Sequence, residues 1–379
     1  MSGRKAIDII TPLYPLSWIY GGITKLRNKL FDHGILRSRS FDIPTICIGN
    51  LSVGGTGKTP HTEYLIKLLR PICDIAVLSR GYKRNTKGYI LADNSSDARA
   101  IGDEPYQMKL KFPDIRVAVD EKRCHGIEQL LQLSDPAVGA VLLDDAYQHR
   151  YVKAGLYILL TDYSRLFCDD AILPAGRLRE SAIGKQRADI VIVTKCPEQI
   201  TAEECESIAC KLRLSDKQEL YFSYFSYANL YSLYPTSQPG EIMKEISHKE
   251  IEDKEVLLLT GIASPTPLVN MLSKYALKVD TMSFADHHDF NEKDIRQIIE
   301  RFSKLNSERR IIITTEKDAT RIKGGNHLID SLKQHIFVQP IEVKFLQKQQ
   351  EIFNQHIIGY VTENTRDSCV SKRAHAHQP

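Results

Sequence analysis

Ser52-Val53-Gly54-Gly55-Thr56-Gly57-Lys58-Thr59 stands directly behind an apolar run at residues 45–48 and ahead of a helix-compatible stretch, 59–69, with Pro60 in its first turn. Strand, glycine-rich loop and helix in that order form the setting of a phosphate-binding loop. The small residues let backbone N–H groups wrap phosphate oxygens, Lys58 reaches the outer phosphates, and Thr59 offers a hydroxyl to magnesium. Ser52 occupies the position where such loops usually begin with glycine, while Gly54, Gly55 and Gly57 keep the loop pliable. The alternative is a tight structural turn.

A nucleotide site of this kind needs a second, acidic element. The apolar run 138–143 ends in Asp144 and Asp145, a strand that delivers carboxylates to magnesium directly or through water, with the choice between the two aspartates open. Working outward, further apolar runs at 74–78, 116–119, 157–160 and 190–193 alternate with helix-compatible segments such as 122–133. Continuous Val/Ile/Leu runs between helices indicate a parallel sheet covered on both faces. The expected fold class is therefore α/β, a P-loop NTPase core at 41–220 with a parallel sheet flanked by helices.

Between about 220 and 250 the character changes to the aromatic, alternating YFSYFSYANLYSLYP, expected as a short β-linker over 221–250. A second alternation follows, with strands at 255–259, 277–283, 310–314 and 335–338 and helices near 265–275, 292–302 and 344–352. It predicts a smaller C-terminal α/β domain over 251–363. Residues 364–379 lack apolar periodicity and read as a disordered tail.

Composition narrows the function classes. The 379 residues carry a formal net charge of +4, and 42% are hydrophobic. This suits a globular chain and is too small a surplus for a nucleic-acid coat. The surplus is local: residues 1–40 hold seven basic side chains against two acidic ones. Within them, IDIITPLYPLSWIYGGI (7–23) is broken by Asp8, Pro12, Pro15 and Gly21-Gly22, too short and interrupted for a spanning helix. Trp18, Tyr14 and Tyr20, followed by Lys25, Arg27 and Lys29, suit a segment lying in the headgroup layer; the alternative is an amphipathic helix on the protein's own core. Eight scattered cysteines, none in a C-x-x-C pair, fit a reducing compartment.

Several strings resemble one family, in order along residues 8–345: PLSWIYGGITKLRN, GNLSVGGTGKTP, SRGYKR (79–84), GDEPYQM (102–108), DDAYQHR (144–150), LPAGRLRE (173–180), TGIASP (260–265), FADHHDF (284–290) and TTEKDATR (314–321). They are similar to the tetraacyldisaccharide 4'-kinases, the lipid A 4'-kinases of Gram-negative bacteria. The family shares the GNL-x-VGGTGKTP form, which accounts for Ser52; Ala146 departs from the usual glycine of DDGFQHR.

The resemblance implies a lipid kinase of lipopolysaccharide biosynthesis. It would move the γ-phosphate of ATP, with Mg2+, to the 4'-hydroxyl of a tetraacyl glucosamine disaccharide 1-phosphate. Its place would be the cytoplasmic face of the inner membrane, held there through residues 7–40, with no nucleic-acid partner.

By the same resemblance, Asp103 accepts the hydroxyl proton and is oriented by His287, with His288 the other choice; the bland reading of Asp103 is a helix N-cap. Glu104, Arg123, Gln148, His149, Arg179 and Glu180 fall in matching stretches and are expected near substrate or phosphate. Arg80 and Tyr82 sit where a parallel sheet presents its strand ends to ligands. Thr194-Lys195, at another strand end, resembles a base-contacting element without the aspartate that selects guanine, which points to adenine. A switch-like GTPase or metallochaperone would need that aspartate or a Cys/His cluster, and a cargo-tethering ATPase would turn over ATP without lipid.

Overall fold

The structure, a computed structural model, describes residues 9–234, 244–262, 264–285, 288, 290–324, 330–346 and 348–365. Its strands in chain order are β1 (Thr45–Asn50), β2 (Ile75–Ser79), β3 (Ile90–Leu91), β4 (Arg116–Val119), β5 (Ala140–Asp144), β6 (Leu156–Asp162), β7 (Ile190–Thr194) and β8 (Glu219–Tyr227), followed by β9 (Leu230–Ser232), β10 (Glu245–Ile246), β11 (Glu255–Thr260), β12 (Lys278–Ser283), β13 (Arg310–Thr315), β14 (Ile336–Gln339) and β15 (Ile341–Phe345). They form two sheets.

The nine-stranded sheet runs β15-β8-β7-β6-β1-β5-β2-β4-β3. Every pairing from β8 across to β4 is parallel, and β3 closes one edge antiparallel. The parallel arrangement follows from the sequence pattern: β1, β2, β5 and β7 are buried at every position, which requires cover on both faces. Each fully buried Val, Ile or Leu there contributes roughly 1.5–3 kcal/mol. β1 lies centrally between β5 and β6, with Ile48 in register with Asp144. The loop after β1 and the carboxylates after β5 therefore leave the same edge of adjacent strands.

The six-stranded sheet runs β10-β9-β14-β13-β11-β12, with β14, β13, β11 and β12 parallel. It carries one apolar cluster around Leu257, Ile295 and Ile312 and another around Leu258, Leu268 and Ile313, as successive residues of a strand point to opposite faces. Helix Glu292–Ser303 begins at a capping box, with Asn291 accepting from the backbone of Lys293 and Asp294.

The chain divides into two compact units, one of residues 1–95, 108–226 and 343–379, the other of residues 96–107 and 227–342. The structure departs from the sequence expectation in two places. Residues 96–107, with Asp103 and Glu104, belong to the second unit. The aromatic stretch expected as a β-linker carries two strands, β8 in the first sheet and β9 in the second. The helix expected at 344–352 is instead strand β15, beside β8, followed by a helix at Gln349–Asn364.

That last helix returns to the first unit. Tyr64 donates to Asn354 at 2.6 Å, and Tyr360 seals against the start of β1, its hydroxyl accepting from Thr45 N and donating to Thr45 O, both at 3.2 Å. A Cβ on Gly155 would fall 2.0 Å from that hydroxyl, so only glycine fits there. Alternation alone did not separate β15 from the helix because the two are divided by only a few residues. The expected tail lies outside the described residues from 366 onward.

Candidate active site

The phosphate loop is shaped by its glycines and its neighbours. Gly54 and Gly57 take positive φ of 110° and 88°, and Gly57 caps helix Lys58–Leu69. Ser52 forms a bridge with Leu178, Val53 N donates to Arg177 O at 2.7 Å, and Asn50 donates to Thr56 Oγ1 at 2.7 Å. Gly55 is open, with nothing within 4 Å of an added Cβ. Thr59 lies one residue into the helix that Lys58 begins.

The two aspartates after β5 have separate settings. Asp144 is fully buried and accepts from the hydroxyls of Thr62 at 3.2 Å and Ser79 at 3.4 Å. Asp145 adopts a left-handed backbone, φ 47°, which turns its carboxylate to Lys58 Nζ at 3.6 Å and Arg179 at 2.9 Å. Burial opposes its ionisation, but Lys58 and Arg179, with Arg123 behind them, outweigh burial and hold the carboxyl below the usual range.

Around this pair several of the expected ligand contacts gather. Gln148 donates to Asn50 O at 2.8 Å and to Glu180 at 3.1 Å, and accepts from Arg179 at 3.4 Å. Glu180, almost wholly buried, is an internal brace: it also accepts from Arg187 and Asn28, each at 2.7 Å. Arg123 is 2% exposed, donates to Asp120 O at 3.0 Å, and keeps a buried Nε with no hydrogen-bond partner. Arg80 and Tyr82 are exposed on the loop after β2. His149 sits in a half-buried, cationic environment; burial first, then Arg123, Arg27 and Arg80, lower its pKa to about 4.

The N-terminal helix Tyr14–Asp32 is docked by its polar side. Tyr20 donates to Arg179 O at 3.0 Å, Asn28 to Glu180, and Arg27 to Gln148 O at 2.9 Å, while Arg150 grips Asn28 O and Asp32. Only Ser17 and Phe31 are buried along it. Leu16, Trp18, Ile19, Ile23 and Leu26 all face outward, Trp18 at 73% exposure. No described helix is long and apolar enough to cross a membrane.

In the second unit, Asp103 opens helix Asp103–Lys111 and accepts from Arg321 at 2.7 Å; Arg321 also lies 3.6 Å from Asp318. Glu104 is the next residue of that helix, half-buried. His287 lies outside the described residues. His288 is engaged: its Nε2 meets Asp294 at 2.8 Å, and its ring stacks on Phe284 at 4.9 Å. Among the described residues no group of three His, Cys, Asp or Glu side chains forms a metal cluster. The oxygen donors Thr59, Asp144 and Asp145 are of the type magnesium takes, with water completing its shell.

The sequence model of the family described as LpxK, tetraacyldisaccharide-1-P 4'-kinase, matches residues 9–359. The chain belongs to this family. It is 59% identical over 368 residues to the tetraacyldisaccharide 4'-kinase of Bacteroides thetaiotaomicron, covering 97% of each chain. It is 47% identical over 353 residues to that of Flavobacterium johnsoniae, covering 93% of this chain and 97% of the relative. Among solved structures it resembles LpxK from Aquifex aeolicus in complex with ATP, with a TM-score of 0.70 at 28% identity, covering 93% of this chain and 98% of that one.

Membership in the tetraacyldisaccharide 4'-kinase family makes the chain an ATP-using transferase that phosphorylates a hydroxyl group. Some residues that shape its site carry no motif signal. Thr62, which holds Asp144, and Arg187, which neutralises Glu180, lie outside every matching string, while Ser79 and Arg321 stand at the ends of SRGYKR and TTEKDATR without their partners, Asp144 and Asp103, being named by those strings. Arg187, seven residues after Glu180, could have been found by looking for a countercharge to a carboxylate that the resemblance places in the site.

His61 gives the site a pH response. Burial first, and the nearby Lys195 in addition, lower its pKa from 6.5 to about 4. The unfolded chain therefore binds this proton more readily, so His61's share of stability is complete above about pH 6.5 and is lost progressively toward pH 4. Thermal melts of the parent should fall across that window, and His61→Asn should flatten the fall. An unchanged slope in that variant would remove His61 as the titrating group.

Proposed function

We propose that this chain transfers the γ-phosphate of ATP to the 4'-hydroxyl of a tetraacylated glucosamine disaccharide 1-phosphate in lipid A biosynthesis, at the cytoplasmic face of the inner membrane. The observation that carries the reading is the convergence of Lys58, Asp145 and Arg179 at the mouth of the phosphate loop, in a chain of this family. Phosphoryl transfer through a loose transition state asks mainly for in-line positioning and neutralisation of charge on the moving group.

In this reading the backbone N–H groups of 52–59 hold the phosphate chain and Lys58 neutralises the β/γ oxygens. Arg179, Arg123 and Arg80 supply further positive charge, and a guanidinium can grip phosphate through two parallel hydrogen bonds. Thr59 with Asp144 or Asp145 would hold Mg2+, which neutralises charge on the phosphates and orients them. Gln148, His149, Glu180 and Tyr82 line or brace the route to the acceptor, and the family resemblance assigns Glu104 to the acceptor as well. Asp103 accepts the hydroxyl proton, with His287 as its orienting partner.

The outward apolar face of the N-terminal helix supports membrane contact. A helix that binds its own protein through polar groups and leaves Trp18, Ile19 and Ile23 in water has its hydrophobic side reserved for another phase. Replacing Trp18 and Ile19 together by serine should weaken binding to anionic vesicles by about 10²-fold, since each large apolar side chain contributes roughly 1.5–3 kcal/mol on burial. ATP binding should stay unchanged. Sedimentation equal to the parent's would remove this face from the membrane contact.

The direct test follows label from γ-labelled ATP into a detergent-dispersed tetraacyl disaccharide 1-phosphate. Product phosphorylated at the 4' position is the expected result. ATP hydrolysis with the lipid left unlabelled would overturn the acceptor assignment and favour a tethering ATPase.

A further inference from the structure

Three consecutive carbonyls of the phosphate loop are each held from outside by a side chain of the first unit. Lys195 Nζ donates to Gly55 O, Thr194 Oγ1 donates to Thr56 O at 2.8 Å, and His61 Nδ1 donates to Gly57 O at 2.7 Å. The three donors come from two places, the end of β7 and the first turns of the helix that the loop opens. We propose that His61, Thr194 and Lys195 are positioning residues that fix the direction of the phosphate loop's peptide groups and so set the affinity for the nucleotide. This inference rests on the kinase reading above.

The physical argument is the planarity of the trans peptide. Its C=O and the following N–H point in opposite directions, so holding the carbonyls of Thr56 and Gly57 outward turns the N–H groups of Gly57 and Lys58 to the other side, where an anion is received. Gly57 O also accepts from the backbone N–H of His61 at 3.2 Å; without the side-chain donors to Gly55 and Thr56 the glycine-rich segment could rotate those carbonyls inward and present negative dipoles to phosphate.

Each donor is itself oriented. Lys195 pairs with Asp162 at 2.8 Å from a left-handed backbone, φ 57°; Thr194 is completely buried; His61 Nε2 accepts from Ser223 of β8 at 3.0 Å. The Gly57 carbonyl can only accept, which puts the proton on Nδ1. Phe225, also of β8, closes the back of the loop, where a Cβ on Gly57 would meet its ring at 2.7 Å. Thr194-Lys195, expected to face a nucleotide base, instead faces the loop backbone.

The test compares Thr194→Val, which keeps shape and loses the donor, with Thr194→Ser, which restores it, using equilibrium binding of Mg-ATP to the full chain together with steady-state kinetics. Thr194→Val should weaken Mg-ATP binding and raise KM for ATP by about 10-fold, with kcat at saturating ATP within about 3-fold and KM for the lipid unchanged. Thr194→Ser should recover most of the affinity, and Lys195→Met and His61→Phe should behave as Thr194→Val does, with His61→Asn partly rescued.

A Thr194→Val chain that melts like the parent and binds Mg-ATP within about 2-fold of it would overturn the proposal, as would a serine variant as weak as the valine. Should Thr194→Val not fold, Lys195→Met, altered at an exposed side chain, carries the same two outcomes. A parent that fails to bind Mg-ATP would overturn this inference together with the kinase reading. A parent that binds while all variants match it sinks this inference alone.

Discussion

Asp103→Asn should lower kcat by roughly 10²–10⁴-fold, the range for a positioned acid–base group, while KM for ATP changes little. Asparagine keeps the size of the side chain and can still meet a polar neighbour, but it cannot accept a proton. The structure adds a constraint that the resemblance did not carry. One oxygen of Asp103 already accepts from Arg321, whose side chain is 2% exposed and also faces Asp318. That ion pair orients the carboxylate to which the proposal gives the hydroxyl proton.

Arg321 therefore separates a catalytic role from a structural one: in Arg321→Met the pH–rate profile should move if Asp103 titrates in turnover. Turnover in Asp103→Asn close to the parent's would remove Asp103 from the mechanism and leave it as the start of its helix.

Lys58→Ala should reduce phosphoryl transfer by about 10²–10³-fold, comparable with the loss of one donor to a developing oxyanion. The expected mechanism of the loss is specific. Lys58 stands 3.6 Å from Asp145, which Arg179 also contacts at 2.9 Å. Removing the lysine leaves the carboxylate with its arginine, so the loop should stay folded while the phosphates lose their nearest cation. The check is transfer of label to the lipid beside a thermal melt. A normal melt with transfer lost is the expected pair of results, and retained transfer would displace Lys58 from its role.

The central parallel strands of the first sheet, β1, β2, β4, β5, β6 and β7, were legible as apolar runs such as IVIVT and AVLLD, while β3 and β15 at its edges were not. The phosphate loop was legible because its glycines, lysine and threonine answer to one ligand at one spacing. What stayed hidden depends on contacts distant in sequence. Nothing near Asp103 names Arg321, and nothing near Gly57 names Ser223 or Phe225.

Thr194-Lys195 was read toward a base because it resembles a base-contacting strand-end element, and its backbone turn carries the Lys195 side chain to Gly55. The N-terminal helix offered the hardest case. Its apolar residues would ordinarily mark the buried face, and here the face that docks is the one with Tyr20, Arg27 and Asn28.

The return of the chain to its first sheet bears on how the protein is made. β8 pairs with β7 on one side, and its other edge is covered only when β15 arrives. Tyr227 ends β8 and Ile341 begins β15, so the entire second sheet is synthesised in between. A ribosome releasing the chain from its N-terminus thus holds the nucleotide-binding unit incomplete until nearly the last helix emerges, with Tyr221, Phe222, Tyr224 and Phe225 on an open-edged strand. Pairings this far apart in sequence form slowly. A nascent chain halted before residue 341 would present an aromatic strand edge to its neighbours, which makes the interval before β15 docks the one in which aggregation competes with folding.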